Sequence, residues 1–126
     1  MLQTITHYSL HFLAPGLLAW LFFRPIWLKA WGLMLLSMAV DLDHLLASPV
    51  FAPNRCSIGF HPLHLWPSML VYVGMLFIPK WWVKAIGTGL LFHMVTDFID
   101  CLWMFTRCTG CCEESGIAWL CSWWLS

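Results

Sequence analysis

Four long apolar stretches separated at only three places constrain this chain more than anything else in it. The breaks fall at Arg24-Pro25, at residues 51–61 and at Pro79-Lys80. Each stretch approaches the roughly 20 mostly apolar residues that a helix needs to cross a bilayer. Helices are expected at about 5–23, 27–50, 62–78 and 81–105. The first and third breaks are so short that they fold helices one and two, and three and four, into antiparallel hairpins. Pro53-Asn54 and Ser57-Ile58-Gly59 supply loop chemistry in the longer middle connection. The expected fold class is therefore all-α, an integral membrane four-helix bundle of two hairpins over residues 1–106. Residues 107–126 form a separate tail with Cys108, Cys111, Cys112, Glu113 and Glu114, followed by an apolar run with three Trp that ends at Leu125. That run is too short to span, and its tryptophans suit an interfacial segment.

Charge supports lipid as the outer solvent. Lys and Arg number 6 and Asp and Glu 6, so 10% of the chain is charged against 61% hydrophobic, where ordinary domains carry about 25% charged residues. A soluble fold this small needs more polar surface than that. The formal net charge of zero offers no basic footprint for nucleic acid. The N-terminus lacks a basic region and a small-residue cleavage site, so the first apolar stretch is expected to be a retained helix. Arg24, Lys29, Lys80 and Lys84 flank the hairpin turns, against Arg55 and Arg107 at the opposite ends. That bias puts the turns in the cytoplasm and both termini outside.

All six His and all four Asp fall in these stretches or at their ends: His7 and His11; Asp41, Asp43 and His44; His61 and His64; His93, Asp97 and Asp100. At 100° per residue, His7 and His11 share a helix face, as do Asp41 and His44, while His93, Asp97 and Asp100 form one stripe. Asp43 points elsewhere than Asp41. Pro62 suits a first helical position, which leaves His61 near the cap. Depth is more telling than facing. At 1.5 Å per residue, Asp41 to His44 lie about 18–22 Å from Lys29, and His11 and His7 about 20 and 25 Å from Arg24. His64 and His61 lie about 24 and 28 Å from Lys80, and His93, Asp97 and Asp100 about 14, 20 and 24 Å from Lys84. Four helices of alternating direction thus place their ionisable groups in one slab, opposite the hairpin turns.

A carboxylate at the bilayer centre costs about 2.5–3.5 kcal/mol on insertion scales, and only Arg55 and Arg107 are fixed cations on that side. A divalent metal held by carboxylates and neutral imidazoles supplies the missing charge. The donor set suits Zn²⁺, with Mn²⁺ or Fe²⁺ as alternatives. The surplus of donors serves one ion with outer carboxylates, or two ions. Asp41, His44, His93 and Asp97 are expected to bind the principal ion, with His61 and His64 completing it or holding a second, and Asp43, His7 and His11 beside them. Asp43 or Asp100 is the expected general base.

The order His7, Asp41-Leu42-Asp43-His44, His61-Pro62-Leu63-His64, His93 to Asp97 resembles the YdjM-like inner-membrane proteins, described as metal-dependent membrane hydrolases. The resemblance covers about residues 1–104. It implies a metal-activated water attacking an ester or phosphoester, with a membrane lipid as the expected substrate and the bacterial inner membrane as the location. His61-Pro62-Leu63-His64 departs from the commoner His-Arg-Gly version and removes an arginine that would hold an anion. The Cys-rich tail lies outside the resemblance.

Competing readings remain. Polar residues inside membranes also serve as interhelical glue or as a transport path, so a non-enzymatic metal-binding or transport protein is the alternative. Transport calls for polar residues through the cytoplasmic half, where residues 30–40 offer only Ser37 and residues 17–23 none. A bis-His haem or quinone site fits poorly with the interleaved Asp residues. His7 and His11 have a bland reading as an interfacial pair satisfied by water. A homodimer would help so small a bundle close its site. The cysteines are most simply unpaired small hydrophobes; on an oxidising side, Cys56 could pair with Cys101 or Cys108.

Overall fold

The apolar stretches fold into helices, and no strand occurs among the described residues. In the computed structural model, these are residues 1–50, 52, 55–113 and 115–124; Pro53-Asn54, Glu114 and Leu125 lie outside them. Helix α1 is Leu2–Phe22, and a 3₁₀ turn at Arg24–Ile26 leads into α2, Trp27–Leu36. Helix α3 is Trp66–Met75, α4 is Trp81–Phe105, and the tail holds α5, Thr109–Glu113, and α6, Ala118–Trp124.

Two expected helices change. The second is α-helical only to Leu36 and continues as a 3₁₀ helix over Ser37–Leu46, an unusual length for that geometry. With three residues per turn, Ser37, Val40 and Asp43 line up as its buried stripe. At the switch the Ser37 hydroxyl donates to the Met34 carbonyl at 2.6 Å. The helix ends short of residue 50 because Pro49 disfavours helical geometry at Ser48. The third expected helix breaks at both ends. Leu65 is extended, Pro67 opens α3, and Pro79 disfavours continuation through Ile78. The ten residues of α3 span about 15 Å, half a hydrocarbon thickness.

Helix α4 is the hub, packed against α1, α2 and α3. Glycine permits this approach: a Cβ at Gly89 would lie 2.9 Å from Met34 Cα, and one at Gly87 would lie 3.2 Å from the Tyr72 carbonyl oxygen. Toward the hairpin turns the core is small and apolar, built on Ala19, Ala30, Met34 and Ala85. At the other end Cys56, Ile58, Cys101, Phe105, Cys112 and Ile117 form a second core. The expected interfacial tail therefore folds back over the middle loop, where Gly59 at φ 79 meets the backbone of Gly116. Trp119 and Trp123 stay exposed.

The chain is apolar outside and polar within. Leu13, Leu17, Phe22, Leu28, Leu36, Leu70 and Phe77 are exposed, while His11, Asp43, His61, His64, His93 and Asp97 are buried. Two helical segments, Arg24–Leu46 and Trp81–Phe105, are long and apolar enough to cross a membrane.

Candidate metal centre

Four elements converge on the polar interior. Helix α4 presents His93 and Asp97 one turn apart, with Asp100 a turn further on. Helix α1 brings His7 and His11, also one turn apart. Pro15, within the same helix, cannot donate to the His11 carbonyl. The 3₁₀ stretch supplies Asp41, Asp43 and His44, and a single 3₁₀ turn, Pro62–His64, supplies His64. That turn is held by the Tyr72 hydroxyl donating to the Leu63 carbonyl at 2.9 Å.

Asp41, His64, His93 and Asp97 each offer one ligand atom, all within 4.8 Å of one another. His93 Nε2 lies 3.0 Å from Asp41 Oδ1 and 3.6 Å from Asp97 Oδ2. His64 Nε2 lies 3.6 Å from Asp41 Oδ1, 3.2 Å from Asp97 Oδ2 and 3.4 Å from His93 Nε2. Around a tetrahedral zinc with bonds of 2.0–2.1 Å, ligand atoms stand about 3.3–3.4 Å apart. The five nitrogen–nitrogen and nitrogen–oxygen separations, 3.0–3.6 Å, bracket that value, and the two carboxylate oxygens lie within 4.8 Å of each other. Asp97 Oδ2 is buried with no hydrogen-bond partner of its own, which is costly in an interior unless a cation meets it. The His/Asp cluster can hold a metal ion.

Asp43 stands behind this group. Its Oδ2 accepts from the Leu63 backbone N–H at 2.9 Å and lies 3.1 Å from His64 Nδ1; its Oδ1 lies 3.2 Å from His44 Nδ1. A carboxylate on Nδ1 fixes the ring and leaves Nε2 as the donor to a metal. Asp43, His44 and His64 also form a group of metal-ligand spacing, but Asp43 Oδ2 is already engaged by two donors. On the far side of Asp97, His11 Nε2 is 3.7 Å from Oδ1, and His7 Nδ1 contacts Asp100 Oδ2. His11 is buried, so the interfacial reading of that residue does not hold.

His61 joins none of the metal-spaced groups among the described residues. Its ring stacks on that of His44, centroids 3.8 Å apart. Burial, and then His44, push its pKa below the usual histidine value. It packs against the His44 and Phe60 rings. Ser57, which sequence reasoning passed over, lies with Oγ 3.1 Å from His44 Nε2. Nothing in its neighbourhood along the chain marks it, because it reaches the site through a loop pinned elsewhere. That pin is the Cys56–Cys101 disulfide, with Cα atoms 5.2 Å apart. Cys108 pairs with Cys111, so the simpler reading of unpaired cysteines is corrected.

The centre is not sealed. The Asp41 side chain is 45% exposed, against 0%, 2% and 7% for His64, His93 and Asp97. Asp41 and Asp97 line a cavity of about 710 Å³, shared with His7, Asp100, Arg55 and Arg107. Arg55 donates to the carbonyls of Pro49 and Val50, and Arg107 to Gln3 Oε1. Neither makes an ion pair with these carboxylates among the described residues.

A family model described as a family of unknown function, DUF6122, matches residues 1–104. The match takes in every candidate ligand and ends before the Cys-rich tail. No curated protein and no solved structure matches the chain.

Proposed function

We propose that this chain, which belongs to the family of unknown function DUF6122, is a membrane-embedded metal-dependent hydrolase acting on an ester or phosphoester that enters from the lipid. The observation that carries this reading is the exposed ligand. A catalytic metal site needs a coordination position that water can take; with four protein ligands that position would be a fifth one, or the one Asp41 holds, on the side where the group meets solvent. Three of the four ligands here are buried, and the fourth, Asp41, faces a cavity within the usual size for small-molecule sites. Asp41, His64, His93 and Asp97 would hold a divalent ion there, which when bound would supply an activated water at neutral pH and polarisation of the ester.

The chain's own residues supply the rest. Asp43, itself held by the Leu63 N–H, lies on Nδ1 of His64 and positions that ring, which moves Asp43 from proton acceptor to positioning residue. Asp100, on the cavity wall, is the carboxylate left to take a proton from the attacking water. Its contact with His7 uses Oδ2, leaving Oδ1 for that task. Arg55 and Arg107 favour a substrate with an anionic group, since they share the cavity with the cluster. That restores the phosphoester, which the missing arginine of His61-Pro62-Leu63-His64 had weakened. The likeness to YdjM-like hydrolases supports the same chemistry.

Location follows the same reasoning. Apolar outer faces suit lipid, the basic hairpin turns suit the cytoplasmic face, and the disulfides at the opposite end suit an oxidising compartment. The cluster then faces the non-cytoplasmic side of a bacterial inner membrane. A transport role needs a polar path onward, and the buried residues toward the turns, Ala19, Ala30, Met34 and Ala85, are apolar.

The test is turnover by the full chain in mild detergent, loaded with Zn²⁺ or Mn²⁺, on mixed micelles of phosphoester and carboxylic-ester lipids. Hydrolysis that falls to background in Asp41→Ala is expected. A metal-loaded protein without turnover on either class, or turnover unchanged in Asp41→Ala, contradicts the hydrolase reading.

A further inference from the structure

We propose that the site takes a second divalent cation beside the first, held by His7, His11 and Asp97, with the Asp97 carboxylate bridging the two ions. The inference deepens the metal reading above and rests on it.

His11 is the starting point. The residue is 3% exposed and its Nε2 has no hydrogen-bond partner. Asp97 Oδ1 faces it at 3.7 Å, beyond hydrogen-bond range. A buried imidazole nitrogen opposite a carboxylate, too far for a proton and near enough for a cation, marks a ligand position. His7, His11 and Asp97 each place a ligand atom within 4.8 Å of the others.

Asp97 faces both ways. Its Oδ2 serves His64 and His93 at 3.2 and 3.6 Å, and its Oδ1 serves His11. One oxygen for each centre is how a carboxylate bridges, and paired ions in hydrolytic sites lie about 3.5–4 Å apart. The two sides also repeat one device. Asp43 sits on Nδ1 of His64, and Asp100 on Nδ1 of His7. Each ring is thereby left with Nε2 as its free donor.

Charge leads to the same count. Asp41, Asp43, Asp97 and Asp100 are four carboxylates, and among the described residues their ion-pair partners are histidines. One divalent ion neutralises half of that charge; two neutralise all of it. A two-ion centre would suit a phosphoester substrate, since two ions can clamp the attacking and leaving oxygens of a displacement at phosphorus.

The experiment loads the full chain in mild detergent with Mn²⁺, counts bound metal by mass spectrometry and records its electron paramagnetic resonance spectrum. The wild type is expected to hold two equivalents with a spin-coupled spectrum, and His11→Ala one equivalent with the six-line pattern of an isolated ion. One equivalent and an uncoupled spectrum in the wild type overturn the second ion and leave the single-ion centre standing. No bound manganese overturns both. Should His11→Ala fail to fold, the wild-type spectrum decides alone.

Discussion

The two ends of this bundle are built on opposite rules. Toward the hairpin turns, regular α-helix packs on small apolar residues: Ala19, Ala30 and Ala85 are fully buried, and the Trp31 indole N–H reaches the Phe12 carbonyl at 3.0 Å. Toward the middle loop the interior is imidazole and carboxylate, α2 gives way to 3₁₀ geometry, and buried polar atoms are left without partners. The first end needs nothing beyond its own packing. The second leaves His11 Nε2, His93 Nδ1 and Asp97 Oδ2 buried without hydrogen-bond partners, which is unfavourable. It is held together from outside by a disulfide, a folded-back tail and, on the account given above, metal. The end whose local rules are broken is also the end that gathers the His/Asp donors of metal-ligand spacing.

Asp97→Ala strikes the polar end hardest. It removes the carboxylate that faces His11, His64 and His93 together, so bound metal should fall to background in mass spectrometry, the largest effect expected anywhere in the chain. Retention of full metal content would remove Asp97 from the centre. Asp43→Asn acts one step back, through His64. A substitution behind a ligand typically costs 10–100-fold in metal affinity, and competition with a chelator should return a loss of about that size with stoichiometry unchanged. At the other end, Gly32 sits inside α2 with nothing within 4 Å of an added Cβ. Gly32→Ala should raise stability by about 0.5–1 kcal/mol in denaturant titration, with metal affinity untouched. A change in metal binding there would show the two ends to be coupled.

Much of this division was legible in the sequence. Hairpin turns follow from Arg24-Pro25 and Pro79-Lys80, and counting residues from the basic markers brings the histidines and aspartates to one depth. Facing was less legible. A rotation of 100° per residue assumes an α-helix through Asp41 and His44, where 3₁₀ geometry turns 120°. It was this geometry that buried Asp43 beneath His64. His61 shares the depth of the cluster but stacks on His44, since depth along a helix does not say which ring meets which. Arg55 and Ser57 come to the site only because Cys56 is tied to Cys101, a pairing that spacing alone left as one choice among several.

The central claim, a metal held by histidine and aspartate at the polar end, is tested most directly by X-ray absorption at the zinc edge on the purified, zinc-loaded chain. The account predicts a shell of nitrogen and oxygen at about 2.0–2.1 Å, with the outer scattering of imidazole, and its loss in an Asp97→Ala, His93→Ala double variant. A sulfur shell near 2.3 Å would move the metal to the cysteine tail and contradict the account, as would a chain that takes up no zinc.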